Sequence, residues 1–245
     1  MRGVGSSGPW EENSRRWYSR PPDLRHMLLA MDMTHAIRLE VFSDYTCPWC
    51  YVGWARLRTA LRELSEEVVV DVDWRPFEIH PEVLPAGMPV EDLPYPPDVW
   101  ARMQDALRES AAAEGLEVGR RPKVSNTHRA LLAGSYVQAE DAGVFEAFHE
   151  RLFTGYFAEG HDLGDATVID QLALEAGVDV PRLQEVLDGG QYESALVDAT
   201  RDARMMGISG TPTFVFDRRF ATSGAQPAEV LLSAFDEALN HMHGA

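Results

Sequence analysis

Cys47 and Cys50 stand three positions apart, where the apolar pattern of the chain changes period. Upstream, Ile37, Leu39 and Val41 alternate with Arg38 and Glu40, the two-residue period of a strand. Downstream, Val52, Leu57, Leu61 and Leu64 fit one face of a helix. Pro48 suits the first helical turn, where its missing N–H has no intrahelical bond to lose. The pair therefore lies at a strand-to-helix junction. Chance would bring two cysteines this close about once in a hundred such chains.

A Cys-x-x-Cys that opens a helix has a direct chemical consequence. The first sulfur meets free backbone N–H groups and the positive end of the helix dipole, which stabilise a thiolate. The thiolate is the nucleophile of disulfide exchange. Cys50, one turn later, is within reach of a mixed disulfide formed on Cys47 and would resolve it. This cycle requires no metal and no organic cofactor. A structural zinc site needs a fuller Cys/His ligand set, and no second Cys-x-x-Cys or spaced His pair accompanies the cysteines. A pair of inert buried cysteines is the other plain reading, since free Cys packs as a small hydrophobe; Trp49 between the two argues against it.

The rest of the chain gives the organisation. Residues 67–75 read as a second strand, and six prolines between Pro81 and Pro97 mark a loop or domain crossing. From Asp98 to about Gly207 the pattern is helical, with helices expected over 98–113, 127–141, 144–157, 165–176, 181–188 and 191–206. Strand character returns at 213–216. A turn at Asp217-Arg218-Arg219 leads to a short strand at 220–222, and a helix follows over 227–241. In that last helix Val230, Leu231, Ala234 and Leu239 are expected on the buried face. Strand-containing segments on both sides of a helical block predict an α/β core with a helical insertion. The expected units are 34–84 with 207–245 as the core, 85–206 as the insertion, and 1–33 as a flexible extension in which Met27, Met31 and Met33 are alternative starts. Gly3 to Gly8 spell G-x-G-x-x-G, but no strand precedes them, so the dinucleotide-binding context fails.

Charge narrows the partners. Lys and Arg number 22 against 39 Asp and Glu, a net charge of −17, and Lys123 is the only lysine. An acidic chain with no evident local basic patch is expected to bind no nucleic acid. No apolar run approaches the roughly 18 residues of a membrane-spanning helix, so no membrane partner is expected. The arginines near the N-terminus are not followed by the apolar core of a secretory signal, which points to the cytoplasm. In a reducing compartment a close cysteine pair reads as catalytic or metal-binding before it reads as a structural bridge.

A second motif completes the pattern. In Gly210-Thr211-Pro212-Thr213-Phe214 a proline directly precedes a strand, a position such a residue tolerates. Together with the upstream cysteines it suggests a cis proline facing them, with the Thr211 backbone free to pair with an extended substrate. With Phe42-Ser43-Asp44-Tyr45-Thr46-Cys47-Pro48-Trp49-Cys50 and the helical insertion, the sequence resembles the thioredoxin superfamily and, within it, the DsbA-like oxidoreductases. It is more similar still to the FrnE-like cytosolic branch, through Trp74-Arg75-Pro76-Phe77-Glu78-Ile79-His80-Pro81, Asn126-Thr127-His128-Arg129-Ala130 and Ser223-Gly224-Ala225-Gln226-Pro227. The resemblance spans about 36–241.

That resemblance implies a thioredoxin fold interrupted by an α-helical domain, Cys47 as nucleophile, Cys50 as resolving cysteine and Pro212 as the cis proline. It implies dithiol–disulfide oxidoreductase or disulfide isomerase activity, with protein or small-molecule disulfides and thiols as the expected partners; the sequence leaves monomer and homodimer both open. Thr211 before the proline resembles the isomerases more than the strong oxidants. Pro48, Trp49, Thr211, Asn126 and Gln226 are the expected substrate-contacting residues. Asn126 and Thr127 have an equal claim as a helix cap, and Asp44 reads as a strand terminator before a proton-transfer group. The alternative reading is a glutathione-dependent isomerase or transferase, related to 2-hydroxychromene-2-carboxylate isomerases and kappa-class glutathione transferases, acting on a small aromatic or polyketide-like substrate. Those relatives typically carry Ser where this chain has Cys47. Glutathione is a candidate co-substrate in either case.

Overall fold

The computed structural model describes residues 36–243; the 1–33 extension and its glycine motif lie outside them. Strand β1 (Ala36–Ser43) is the centre of a four-stranded sheet in the order β2-β1-β5-β6. Helix α1 (Pro48–Glu63) carries the chain across to β2 (Val69–Pro76), which pairs with β1 in parallel. A long helical excursion follows before β5 (Thr213–Phe216) returns antiparallel on the other side of β1, and β6 (Phe220–Ser223) closes the edge as a hairpin. Helix α8 (Ala228–His243) packs on α1. The architecture is α/β, a thioredoxin-like sheet with helices inserted between its two halves.

The alternation in β1 sorts its side chains between two cores. Ile37, Leu39 and Val41 join Phe214 and Phe216 of β5 in the main core. Phe42 faces the other way and meets Val215 and Ala203. Sequence patterning puts Glu40 on a polar face, yet it is 1% exposed. The reason is the β5–β6 turn. Asp217 and Arg218 take positive φ (51° and 56°), which folds Arg218 back over the sheet. Its guanidinium donates two hydrogen bonds to Glu40, at 2.7 and 2.8 Å, and a third to Asp202.

The helical excursion comprises α2 (Pro97–Ala113), α3 (His128–Glu140), α4 (Ala142–Phe157), α5 (Ala166–Ala176), α6 (Val180–Asp188) and α7 (Glu193–Met205). These lie where the apolar periodicity predicts them. Two features differ from the sequence reading. First, the two-residue strands β3 (Met88–Pro89) and β4 (Lys123–Val124) pair antiparallel and tie off a loop that holds α2. Strands this short have no periodicity to detect. Second, the buried stripe of α8 is Leu231, Ala234, Phe235 and Ala238, the i, i+3, i+4, i+7 face, and Val230 is 42% exposed.

Tyr45, in the turn before the cysteines, inserts into the helical layer. Its hydroxyl lies 2.9 Å from Nδ1 of His149 on α4. It also sits so close to α3 that a Cβ on Gly134 would fall 2.5 Å from the tyrosine oxygen. His149 is enclosed by Trp54, Trp74, Phe145 and Phe153. Burial, reinforced by the charge of Arg58, pushes its pKa down to about 3.

Two outcomes are expected. Arg218→Ala leaves the buried Glu40 carboxylate without its main counter-charge. It should lower unfolding free energy by about 3 kcal/mol, the low end for an orphaned buried charge because Arg218 itself is partly solvated. A denaturant titration unchanged from wild type would refute this. For His149, the folded state holds the neutral ring down to about pH 3, while the unfolded chain takes up a proton below its ordinary value of 6.5. Its stabilising contribution is thus complete above pH 6.5 and declines as pH falls toward 3, by about 1.4 kcal/mol per pH unit. The stability advantage of wild type over His149→Gln should shrink with that slope; a difference that is flat with pH would count against it.

Candidate active site

Cys47 is the N-cap of α1, and Pro48 occupies the first helical turn. The Cys47 carbonyl accepts from the N–H groups of Cys50 and Tyr51, starting the helix. No side chain caps this N-terminus. The helix-end field therefore acts on the Cys47 sulfur itself. Both cysteines are free thiols, 2% and 1% exposed.

The second wall of the site is the segment before β5. The Thr211–Pro212 peptide is cis, as the motif suggests. The Cys47 thiol donates to the Thr211 carbonyl at 3.5 Å. Pro212 packs on the helix at Gly53, where a Cβ would come 3.0 Å from the proline ring and 3.4 Å from Phe214. A glycine in the second turn of α1 is what lets the helix sit this close to the proline.

The two sulfurs differ electrostatically. Cys47 is held below the usual thiol pKa, chiefly by a hydrogen bond from the Cys50 thiol, with Thr211 and the Cys50 backbone adding to it. Burial and the nearby Asp44 oppose the shift. Cys50 is pushed well above its ordinary value by burial and by the adjacent Cys47. Cys47 is therefore the more acidic of the two and gives up its proton first.

Asp44 does more than end a strand. It is fully buried and accepts hydrogen bonds from the Thr46 N–H and hydroxyl, the Ile79 N–H and the Thr127 hydroxyl. Burial raises its pKa against the effect of those bonds. It pins the turn before Cys47 to the segment after β2 and to the start of α3.

A cavity of about 520 Å³ opens beside Cys47. Pro48, Trp49 and Thr211 line it on the sheet side. Its far wall is α2, through Trp100, Met103, Gln104 and Arg108, and the following segment, through Arg120, Arg121 and Val124. Tyr156 of α4 closes one end. Two expected contact residues lie outside this lining. The Asn126 amide donates to the Val83 carbonyl and accepts from the His128 N–H, so it acts as a local cap. Gln226 donates to the Ser223 carbonyl.

The arginines are what the sequence reading missed, since it found no local basic patch. The signal was the run Arg120-Arg121-Pro122-Lys123 in an otherwise acidic chain. Only the fold brings Arg108 of α2 to the same wall. Among the described residues, no group of three or more His, Cys, Asp or Glu side chains is placed to hold a metal ion, and no helix is long and apolar enough to cross a membrane.

A family model, the DSBA-like thioredoxin domain, matches residues 38–236. The chain belongs to this family. Members of the DsbA-like family are oxidoreductases. A probable DsbA oxidoreductase from Streptomyces coelicolor is 32% identical and superposes with a TM-score of 0.76 over 82% of this chain and 89% of that one. The uncharacterized protein YwbO of Bacillus subtilis is 29% identical over 181 residues, 73% of this chain and 86% of YwbO. The cytosolic disulfide reductase DsbM from Pseudomonas aeruginosa, solved with GSH, shares the fold at 21% identity and a TM-score of 0.55, over 84% of this chain and 98% of DsbM.

The electrostatics of this DsbA-like site yield one expectation. Replacing Asp44 with Asn removes a negative charge that works against the thiolate. The Cys47 pKa should move further down, read from thiolate absorbance near 240 nm across a pH titration. An upward shift or none would show that Asp44 does not act on the sulfur.

Proposed function

We propose that this chain catalyses dithiol–disulfide exchange, with Cys47 as nucleophile and Cys50 as resolving thiol. The observation that carries the reading is the asymmetry of the pair. Cys47 stands at the helix N-terminus against the Thr211 carbonyl with its pKa depressed, and Cys50 lies behind it with its pKa raised. The Cys47 thiolate attacks one sulfur of a substrate disulfide, forms a mixed disulfide and releases the other sulfur as a thiolate. Cys50 then loses its proton and attacks Cys47. A second substrate thiolate leaves, and the Cys47–Cys50 disulfide remains. Two electrons pass from the protein dithiol to the substrate; the reverse sequence oxidises a substrate dithiol.

Pro48, Trp49 and Thr211 are the groups positioned to touch the substrate beside Cys47. A second groove, lined by Met206 to Thr213 with Ala221, Ser223 and Gly224, includes Thr211 and Pro212. It offers backbone to an extended polypeptide, so protein disulfides as well as small ones fit the reading.

A second reading is favoured by the aromatic walls of the main cavity. Glutathione-dependent isomerase or transferase chemistry on a small aromatic substrate would use Cys47 or bound glutathione alone, and would survive loss of Cys50.

In an insulin-reduction assay with dithiothreitol, Cys47→Ser should fall to the uncatalysed background. Incubated with a disulfide substrate and no added reductant, Cys50→Ser should accumulate a mixed disulfide on Cys47, visible as added mass that later addition of dithiothreitol removes. Undiminished turnover by Cys47→Ser would overturn the proposal. Full turnover of a glutathione-dependent reaction by Cys50→Ser would move the assignment to the second reading.

A further inference from the structure

The chain carries a charge of −17, and most arginines among the described residues are matched to carboxylates. Arg121 is an exception. It lies in the wall of the cavity beside Cys47, largely withdrawn from water. Its Nη2 donates to the Gln104 side-chain carbonyl at 2.8 Å, and its guanidinium lies 4.7 Å from the centre of the Phe157 ring and 5.8 Å from that of Tyr156. Its Nε is buried without a hydrogen-bond partner. Among the described residues no carboxylate pairs with it. The charge of Arg108, of the same sign, acts on it unfavourably. Arg120 lines the same wall, exposed, and Arg108 pairs only with the surface residue Asp105.

A largely desolvated cation without a counter-ion is costly, and the like charge of Arg108 adds to that cost. An anion in the cavity would relieve both. The cavity has the size of a small-molecule site, and its aromatic side chains, Trp49, Trp100 and Tyr156, suit a flat or apolar body. We infer that this cavity is a subsite for the carboxylate-bearing end of a low-molecular-weight disulfide whose sulfur is presented to Cys47, with Arg121 as the principal counter-charge and Arg120 and Arg108 as its outer support. The inference rests on the exchange reading above and names its substrate class. The electron balance is that of the same two steps: the anionic disulfide is reduced to two thiolates as Cys47 and Cys50 are oxidised.

The test is a single-turnover measurement with the reduced full-length protein and two aromatic disulfides. One probe, 5,5′-dithiobis(2-nitrobenzoate), carries carboxylates; the other, 2,2′-dithiodipyridine, is neutral. The readout is the ratio of their rate constants, in which any change in Cys47 reactivity common to both probes cancels. In Arg121→Gln the ratio of anionic to neutral probe should fall about tenfold to a hundredfold, the loss expected for one hydrogen-bonded charge pair. Arg121→Lys should restore part of it. Arg120→Gln and Arg108→Gln, at exposed positions, should each lower the ratio several-fold and serve if Arg121→Gln does not fold. Ratios within twofold of wild type in the variants that fold would overturn the inference while leaving disulfide exchange intact. A wild-type protein that reduces neither probe would remove the exchange reading and this inference with it.

Discussion

The contact between the start of α1 and the Thr211–Pro212 segment organises the rest of the molecule. Gly53 has no side chain, so the Pro212 ring can lie against the helix, and the Thr211 carbonyl comes to the Cys47 thiol. The two partners are 164 residues apart in sequence. They meet because β1, which leads to Cys47, and β5, which follows Pro212, are neighbours in the sheet. The Glu40–Arg218 pair fastens that strand pairing at its far end. A helix N-terminus alone would lower the pKa of a thiol. The buried second thiol, which donates to the Cys47 sulfur, adds to that tendency and separates the two sulfurs in acidity.

The helical layer is coupled to the cysteines through the turn that precedes them. Tyr45 reaches His149 and packs on α3, and Asp44 hydrogen-bonds to the segment after β2 and to Thr127. Both side chains are buried, so the turn that presents Cys47 cannot move without disturbing the α3–α4 packing. The β3–β4 tie then holds α2 over the opposite side of the cysteine, closing a cavity rather than leaving an open thiol. The insertion thus supplies both a rigid support and a wall rich in cations.

The sheet, the helices and the dithiol were legible because they rest on local signals. Alternation in 37–41, helical stripes through 98–206 and the Cys-x-x-Cys spacing each express a short-range rule. Asn126 and Gln226 were drawn into the expected site by motif alone, and their amides turn out to be occupied by nearby backbone groups. Alternation sets Glu40 on the side of β1 opposite Ile37, Leu39 and Val41 but says nothing of what covers that side, which is Arg218.

The amino-acid sequence by itself determined an α/β chain with a pair of cysteines at a helix start, where charge stabilisation needs only that local geometry. Only the tertiary structure decided what surrounds the sulfur. Arg108 and Arg121 lie on different elements and carry no shared pattern. They become one basic wall when the β3–β4 pair folds α2 back over the cavity. The cancelling of charge that the sequence sums to −17 is likewise a matter of distance, and Arg121 stands apart because folding places it against aromatic rings, with no described carboxylate in ion-pair reach.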